Sequence, residues 1–515
     1  MEKGQILEIK IDDMSGEGQG IGRADDGFVV FVPGAVVGDT ARVQLTKVKK
    51  RYAFSKLMEI TEFSVARNEA FQCDSFDEGC GGCPYGKLRY DEQLVIKQRQ
   101  VYDKLSRLGD IADPTVRTII GMYPDDNEGM GCYRYRNKAS FPVSTGGIIT
   151  RKGGIVENLG EPAVGFFRPK SHDVVDCEDC WLQSMPAMAA ADALRTFMEE
   201  DNITAWDPKW KKGLMRHLVV KTAFSTGEVM VILVINGKGI PNSAKLIEML
   251  DDAVYETGYS LESVVTSIHK GTNDEIMGEE NTVIAGKPVI TDYIGDLQFE
   301  ISPSSFYQVN PVQMKRLYDK VREYCGFDSE ETDSISTGEN PENSEVSPAQ
   351  EKQDHRPVIL DLYCGVGTIG LCCADNARAV IGIESVKEAV INANRNAVIN
   401  NIVNARYLCG RAEELLPDCI SGAENIDSDI AKFVQQADIA ILDPPRAGCR
   451  PELLDAVAAT SVDRIVYVSC DPATLARDIK HLNGHGFRFI EATPVDMFPN
   501  SSHVETVVGL QRKDT

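Results

Sequence analysis

The first 60 residues alternate apolar and polar positions in short runs, QILEIKI, GFVVFV, ARVQLTKV and AFSKLMEI, separated by glycine-rich turns such as SGEGQGIG. A period of two, broken this often by turns, predicts a small β-barrel of OB-like scale. Further on, EQLVIKQRQVYDKLSRLG sets Leu94, Val95, Val101, Tyr102, Leu105 and Leu108 at a spacing that predicts a helix with one buried face. Mixed strand patterns such as MRHLVVKTAFSTGEVMVILVI follow, and PVQMKRLYDKVREYC predicts a second helix. From RPVILDLYCG onward the order is strand, glycine-rich turn, helix, strand, helix, strand, which predicts a doubly wound parallel sheet. The chain is therefore expected to be a multidomain α/β protein. Its expected units are a barrel over 1–60, a central α+β domain over 61–300 and a Rossmann-like domain over 301–515.

Composition modifies this picture in three places. No apolar run approaches the roughly 20 residues needed to cross a membrane, and MEKGQILEIK has neither the basic start nor the apolar stretch of a signal peptide. A cytoplasmic protein without a membrane partner is expected. The net charge of −24 argues against a passive polyanion binder. However, acids are concentrated in FDSEETDSISTGENPENSEVSPAQEKQD, residues 327–354, within a stretch over 327–356 that reads as a disordered insertion. Basic and aromatic residues meanwhile interleave in KVKKRYAFSK and CYRYRNKASF, so local RNA-binding surfaces stay open. In the first of these, Lys47, Lys49, Lys50 and Arg51 could equally be a solvated edge strand. The 14 cysteines, without a secretion signal, point to metal or catalytic use rather than disulfides. Cys372 and Cys373, in an apolar helical stretch, read as core residues.

One cysteine group stands apart. CDSFDEGCGGCPYGK places Cys73, Cys80 and Cys83 around glycines that let the backbone wrap closely, and HDVVDCEDCWLQ supplies a fourth thiol, Cys180, with Cys177 as a second possibility. Four cysteines suit zinc or an iron–sulfur cluster, and the spacing departs from the paired CxxC knuckles of a zinc ribbon, which favours the cluster.

PVILDLYCGVGTIGLCC puts Asp361 at the end of an apolar strand and Gly365, Gly367 and Gly370 ahead of a helix, leaving a helix N-terminus open to a ligand. The next strand, AVIGIE, ends on Glu384, from which a carboxylate can accept the ribose hydroxyls of an adenosine. ADIAILDPPRAG then ends a strand on Asp443 and a rigid Pro-Pro turn at the carboxyl edge of the sheet. This turn is unusual for dehydrogenases and typical of S-adenosylmethionine-dependent methyltransferases that act on nucleobases; a helix-cap role for Asp443 is the alternative.

RIVYVSCDPATLARD ends another strand at that edge on Cys470, with Asp471 expected as N-cap and Pro472 in the first turn of a helix. The helix N-terminus favours a thiolate at Cys470, and Asp471 opposes it. A core cysteine would satisfy the position alone, but methylation at uracil C5 gives the thiol a task. C5 is a weak nucleophile; adding a thiolate to C6 makes an enolate that attacks the methyl, and a base must then remove the C5 proton. Glu505, beside His503 in VDMFPNSSHVETVVGL, is the candidate base.

LDLYCGVGTIGL, ILDPPRAGC, VYVSCDPATLARD and MFPNSSHVETVVGL, with SPSSFYQVNP upstream, resemble the RNA 5-methyluridine methyltransferase family. GQGIGRADDGFVVFVPGAVVGDTARV resembles the TRAM domain, an RNA-binding barrel, and with the cysteine group points to members that carry both TRAM and a four-iron, four-sulfur cluster. The resemblance implies Cys470 as nucleophile, Glu505 as proton acceptor, and Gln308, Tyr363, Glu384 and Asp443 as S-adenosylmethionine contacts. It likewise implies Cys73, Cys80, Cys83 and Cys180 as cluster ligands. The first two cluster cysteines lie about one residue further apart than is typical of the family, and Thr368 stands where some members have Asn. Members with both TRAM and cluster generally modify ribosomal RNA, so the resemblance implies 23S rRNA as partner; no obligate protein partner is evident in the sequence, and a monomer is expected. A tRNA uracil-C5 methyltransferase, an exocyclic-amine methyltransferase and a non-catalytic iron–sulfur RNA-binding protein are the competing readings.

Overall fold

The computed structural model describes residues 1–145, 148–151, 154–157, 161–207, 209–273, 275–327 and 354–513. Most of the acidic insertion expected at 327–356 lies outside the described residues.

Strands β1 (Ile6–Met14), β2 (Gly20–Arg23), β3 (Val29–Val32), β4 (Thr40–Val48) and β5 (Tyr52–Glu62) close into a barrel in the order β1-β2-β3-β5-β4. Alternate residues point inward, so Ile9, Ile11, Val30, Val32, Val43 and Leu45 form its core while their neighbours face water. A buried ion pair fixes the barrel to the chain that leaves it: Arg67 donates through Nε (2.9 Å) and Nη2 (2.6 Å) to the Asp39 carboxylate.

The central sheet contains β6 (Lys138–Thr145), β7 (Ile148–Arg151), β8 (Gly154–Glu157), β9 (Pro162–Phe167), β10 (Val174–Asp176), β11 (Met215–Thr222), β12 (Glu228–Ile235), β13 (Ser260–Ile268) and β14 (Glu280–Gly286). Its order is β14-β13-β12-β11-β6-β9-β10-β7-β8. Helices Met185–Glu200 and Ser243–Glu256 cover one face. Val219, Met230, Ile232 and Val234, from the strands between, instead share a core with Met314 and Leu317 of the helix Pro311–Cys325. A hairpin, β15 (Ile290–Ile294) and β16 (Leu297–Ile301), joins the same core.

The last sheet contains β17 (Val358–Leu362), β18 (Ala379–Glu384), β19 (Ala405–Cys409), β20 (Ile439–Leu442), β21 (Arg464–Ser469), β22 (Phe487–Val495) and β23 (Glu505–Arg512). The order is β19-β18-β17-β20-β21-β23-β22; the first five strands are parallel and β23 runs antiparallel to both neighbours. Every residue of β17 and of β20 is buried, as strands covered on both faces require. The order reverses between β17 and β20, so their carboxyl ends open the crevice where such folds bind ligands.

The helix Tyr90–Arg107 forms as expected but buries a different face. Gln93, Ile96, Lys97, Val101 and Leu105 point inward, while Val95, Tyr102 and Leu108 are exposed. The cause is its docking on the last sheet. Lys97 Nζ lies 2.5 Å from Asp496 and donates to the Phe498 carbonyl at 3.0 Å, with both charged groups inaccessible to water. The segment after this helix extends the sheet edge: Arg117 N donates to Ala492 O (2.8 Å) and Ile120 N to Pro494 O (2.9 Å). Among the described residues, no helix is long and apolar enough to cross a membrane.

Candidate active site

Cys470 and Glu505 meet across two strands. Ser469 pairs with Thr506 in the antiparallel ladder of β21 and β23, so the next position outward sets Cys470 beside Glu505. Asp443 follows β20, whose Leu442 pairs with Tyr467 of β21, and reaches the same edge. Asp443 caps no helix; the helix after it, Pro451–Ala458, begins from Arg450. Beyond Cys470, Asp471 caps the helix Pro472–Gly484 as expected, accepting from Ala473 N (2.8 Å) and Thr474 N (3.1 Å).

The electrostatics differ from the expectation at Cys470. Burial, then the Glu505 carboxylate beside it, push the thiol up to about 11, so the helix N-terminus does not prevail. Arg446 opposes the shift. Glu505 is itself buried and raised to about 8, by burial first and Asp443 second, with Arg446 again opposing. Asp443 is raised to about 7 by burial and by Asp361, and Asp361 to about 7 by burial against the hydrogen bond from Gly370 N (3.0 Å). Carboxylates this close in a dry crevice do not all ionise at once near neutral pH. Arg446 Nη2 also lies 3.3 Å from His503 Nε2, and burial and Arg446 lower the His503 ring to about 4, leaving it neutral.

The glycine turn after β17 forms the other wall. Tyr363 adopts φ 64°, a left-handed conformation costly for a bulky side chain, and is held by its N–H to Ile383 O at 3.0 Å. Gly367 also has positive φ, and a Cβ there would stand 2.5 Å from the Tyr407 hydroxyl, so the approach of this turn to β19 demands glycine. Gln308, Tyr363 and Asp443 line one crevice together with Asp361, Tyr307 and Tyr318. Glu384 sits beside it at the end of β18, accepting from Gly365 N (3.2 Å) and Val386 N (2.8 Å). The Thr368 hydroxyl is 2.9 Å from that of Tyr318. Tyr307 Oη and Asp361 Oδ1, buried in the lining of this crevice, have no protein hydrogen-bond partner, the condition of a wall built for a polar ligand. Asp361 was visible at the strand end, whereas Tyr307, Tyr318 and Tyr407 carry no sequence signal separating them from core aromatics.

Cys73, Cys80, Cys83 and Cys180 gather around a second cavity of about 100 Å³, with Cys177 and Arg136 also in its wall. The buried Nε of Arg136 has no hydrogen-bond partner, although Arg136 faces Cys83 and Cys180. Among the described residues, no three of these sulfurs lie within 4.8 Å of one another. Cys83 is tied to the active site through the backbone. Tyr85 N donates to Asn500 O (3.0 Å), and Asn500 exchanges two further hydrogen bonds with Gln93 (2.9 and 3.1 Å) in the loop that leads to Glu505.

Known proteins share this architecture. Residues 1–58 match the TRAM domain, and residues 346–513 match the tRNA (Uracil-5-)-methyltransferase family. An uncharacterized RNA methyltransferase of Clostridium tetani is 36% identical over 508 residues, 99% of this chain and 96% of its own. Another, from Caldanaerobacter subterraneus subsp. tengcongensis, is 39% identical over 512 residues, 99% of this chain and 98% of its own. The crystal structure of the Pyrococcus abyssi tRNA (uracil-54, C5)-methyltransferase in complex with S-adenosyl-L-homocysteine superposes with a TM-score of 0.68 at 25% identity, covering 98% of this chain and 99% of that one. The chain belongs to the S-adenosylmethionine-dependent RNA uracil-5-methyltransferases that carry an N-terminal TRAM barrel.

Proposed function

We propose that the protein methylates C5 of a uridine in 23S ribosomal RNA through a covalent bond between Cys470 and the base. The observation that carries this reading is the juxtaposition of Cys470 and Glu505 one step beyond the Ser469–Thr506 pair, at the same sheet edge as Asp443. The Cys470 thiol gives its proton to water, the resulting thiolate being stabilised by the facing Arg446 guanidinium, and its sulfur bonds to C6. Electron density released onto C5 takes the methyl group, which S-adenosylmethionine supplies. The Glu505 carboxylate accepts the C5 proton, the C5–C6 double bond re-forms and the sulfur leaves. Gln308, Tyr363, Glu384 and Asp443 hold the methyl donor, a role supported by the unpartnered polar atoms of the crevice wall. The target uridine must leave its stack to reach Cys470.

Residues 1–60 serve in this reading as an RNA-binding barrel, 61–300 as the cluster-bearing unit and 301–515 as the methyltransferase unit. Cys73, Cys80, Cys83 and Cys180 hold a four-iron, four-sulfur cluster. The spread of the sulfurs supports the cluster over zinc. Among the described residues no three of the sulfurs lie mutually within 4.8 Å, whereas a zinc tetrahedron built from 2.3 Å bonds sets all four about 3.8 Å apart. The unpaired Arg136 Nε suits the net negative charge that either metal centre on four thiolates would carry. Anaerobically purified protein should then contain iron and sulfide and show broad visible absorption; a colourless zinc protein overturns the assignment.

RNA carrying 5-fluorouridine tests the chemistry. Fluorine at C5 cannot be abstracted as a proton, so the adduct should persist with S-adenosylmethionine present, and failure to trap it on substrate RNA rejects the Cys470 mechanism. A tRNA uridine is the second reading, favoured by the end-to-end likeness to the Pyrococcus abyssi enzyme. Mapping 5-methyluridine in 23S rRNA and tRNA from a strain lacking the protein decides between them.

A further inference from the structure

We propose a surface binding site for a divalent transition-metal ion, with zinc as its probe, formed by Asp455, His481 and His485. Among the described residues these three bring one potential ligand atom each within 4.8 Å of one another. His481 and His485 lie four residues apart around the C-terminal end of the helix Pro472–Gly484, and Asp455 reaches them from the helix Pro451–Ala458. Residues four apart on a helix share a face, which is how paired histidines on one helix chelate a metal.

The hydrogen-bond arrangement points to a cation. His485 Nδ1 lies 2.9 Å from the His481 carbonyl oxygen, which can only accept, so Nδ1 carries the proton. In the neutral ring the lone pair is then on Nε2, which faces Asp455 Oδ1 at 3.3 Å. That same oxygen lies 2.7 Å from His481 Nε2. Two acceptors facing each other are favoured by a positive charge between them. A second proton on His485 would supply it, and so would a metal. A ring held by Nδ1–H to a backbone carbonyl, with Nε2 directed at a shared point, is the orientation that metal-ligating histidines adopt. Two imidazoles and one carboxylate suit zinc and its first-row neighbours, leaving water to complete the coordination.

The ion would join the helices that follow the two catalytic turns. Helix Pro451–Ala458 follows the Asp443–Arg446 turn, and helix Pro472–Gly484 follows Cys470. Near the active site Asp478 already bridges them, accepting from Cys449 N at 2.8 Å and from the Tyr467 hydroxyl at 2.7 Å. The His485 end lies ~20 Å along the helix from Cys470, at 1.5 Å per residue. The metal is therefore a clip between helices and takes no part in methyl transfer.

The experiment counts zinc bound to the full-length chain and to His481→Gln/His485→Gln after desalting, and records the thermal midpoint with and without zinc. The cysteines take up metal in both proteins, so the difference isolates this site. The expected result is one zinc equivalent fewer in the variant, a smaller zinc-induced rise in midpoint and unchanged methylation in zinc-free buffer. Equal stoichiometry and an equal rise overturn the proposal. Should the double variant fail to fold, Asp455→Asn should bind zinc at this site at least tenfold more weakly. Imidazole ¹⁵N resonances of His481 and His485 in the unchanged chain give an independent reading: they should stop titrating with pH in saturating zinc, and continued titration overturns the site.

Discussion

Cys470 and Glu505 are next-door positions on antiparallel strands, brought together by the pairing of Ser469 with Thr506 although 35 residues separate them in the chain. The strand pairing fixes the proposed nucleophile and the proposed base relative to each other. The same closeness adds to the burial that raises the Cys470 thiol, because an ionised Glu505 beside it disfavours a second negative charge.

Substituting the two residues separately should stop the reaction at different points. Cys470→Ala should give neither product nor covalent RNA. Glu505→Gln should still form the bond to C6 and transfer the methyl, but fail to release it. Turnover should then fall by about 10²–10⁴-fold, the range for loss of a general base, while RNA-linked protein accumulates on ordinary uridine. Denaturing gels with labelled RNA measure both; an absence of trapped adduct in Glu505→Gln would refute the assigned order of steps.

Activity and stability should respond to pH in opposite directions. Glu505 accepts a proton only as carboxylate, and it acts after methyl transfer, so kcat should climb between about pH 7 and 9 as this group, raised to about 8, ionises. Arg446→Gln should displace the rise to higher pH, since Arg446 opposes the upward shifts of both Glu505 and Cys470. For folding, a carboxyl raised above its unfolded value favours the native state most at low pH, and that contribution is lost as pH rises through about 8. Glu505→Gln removes the loss. It should match the unchanged chain near pH 4 and exceed it at pH 8.5 by on the order of 2 kcal/mol, as read by urea unfolding at the two pH values.

Much of this site was legible because the chemistry sits at strand ends. Asp361, Glu384, Asp443 and Cys470 each close an apolar run, and a doubly wound sheet brings such ends to one edge. What escaped depends on contacts between distant segments. A pattern of apolar spacing cannot reveal that Lys97 and Gln93 lie on the buried face, since their partners, Asp496 and Asn500, lie about 400 residues on. The raised Cys470 thiol escaped similarly, because the helix N-terminus is local and visible whereas the opposing carboxylate comes from another strand.

The barrel should contribute to RNA binding through stacking as well as charge. Phe31, Tyr52 and Phe54 form an aromatic cluster with centroids 5.4–5.8 Å apart, and Lys47, Lys49, Lys50 and Arg51 are exposed around it. Tyr52→Ala should weaken binding of substrate RNA by about 1–3 kcal/mol if a base stacks there, with little change in salt dependence. Lys49→Ala should instead lower the slope of log affinity against log salt by about 0.7–0.9. Filter binding across a salt series separates the two, and unchanged affinity in both variants would assign the barrel face to another role.

The Lys97–Asp496 pair should be costly to break and cheap to replace. Both charges are fully buried, and Lys97 also donates to the Phe498 carbonyl, so either partner left alone would be an uncompensated charge in a dry interface. Lys97→Met should therefore destabilise the protein by about 3–5 kcal/mol, whereas Lys97→Met/Asp496→Leu should recover much of that loss. Because Asp496 opens the loop through Asn500 to Glu505, the single variant should also lose turnover more than RNA affinity. Urea unfolding of the two variants with single-turnover methylation measures each effect. A double variant no more stable than the single one would show that the pair contributes net stability beyond satisfying its own burial.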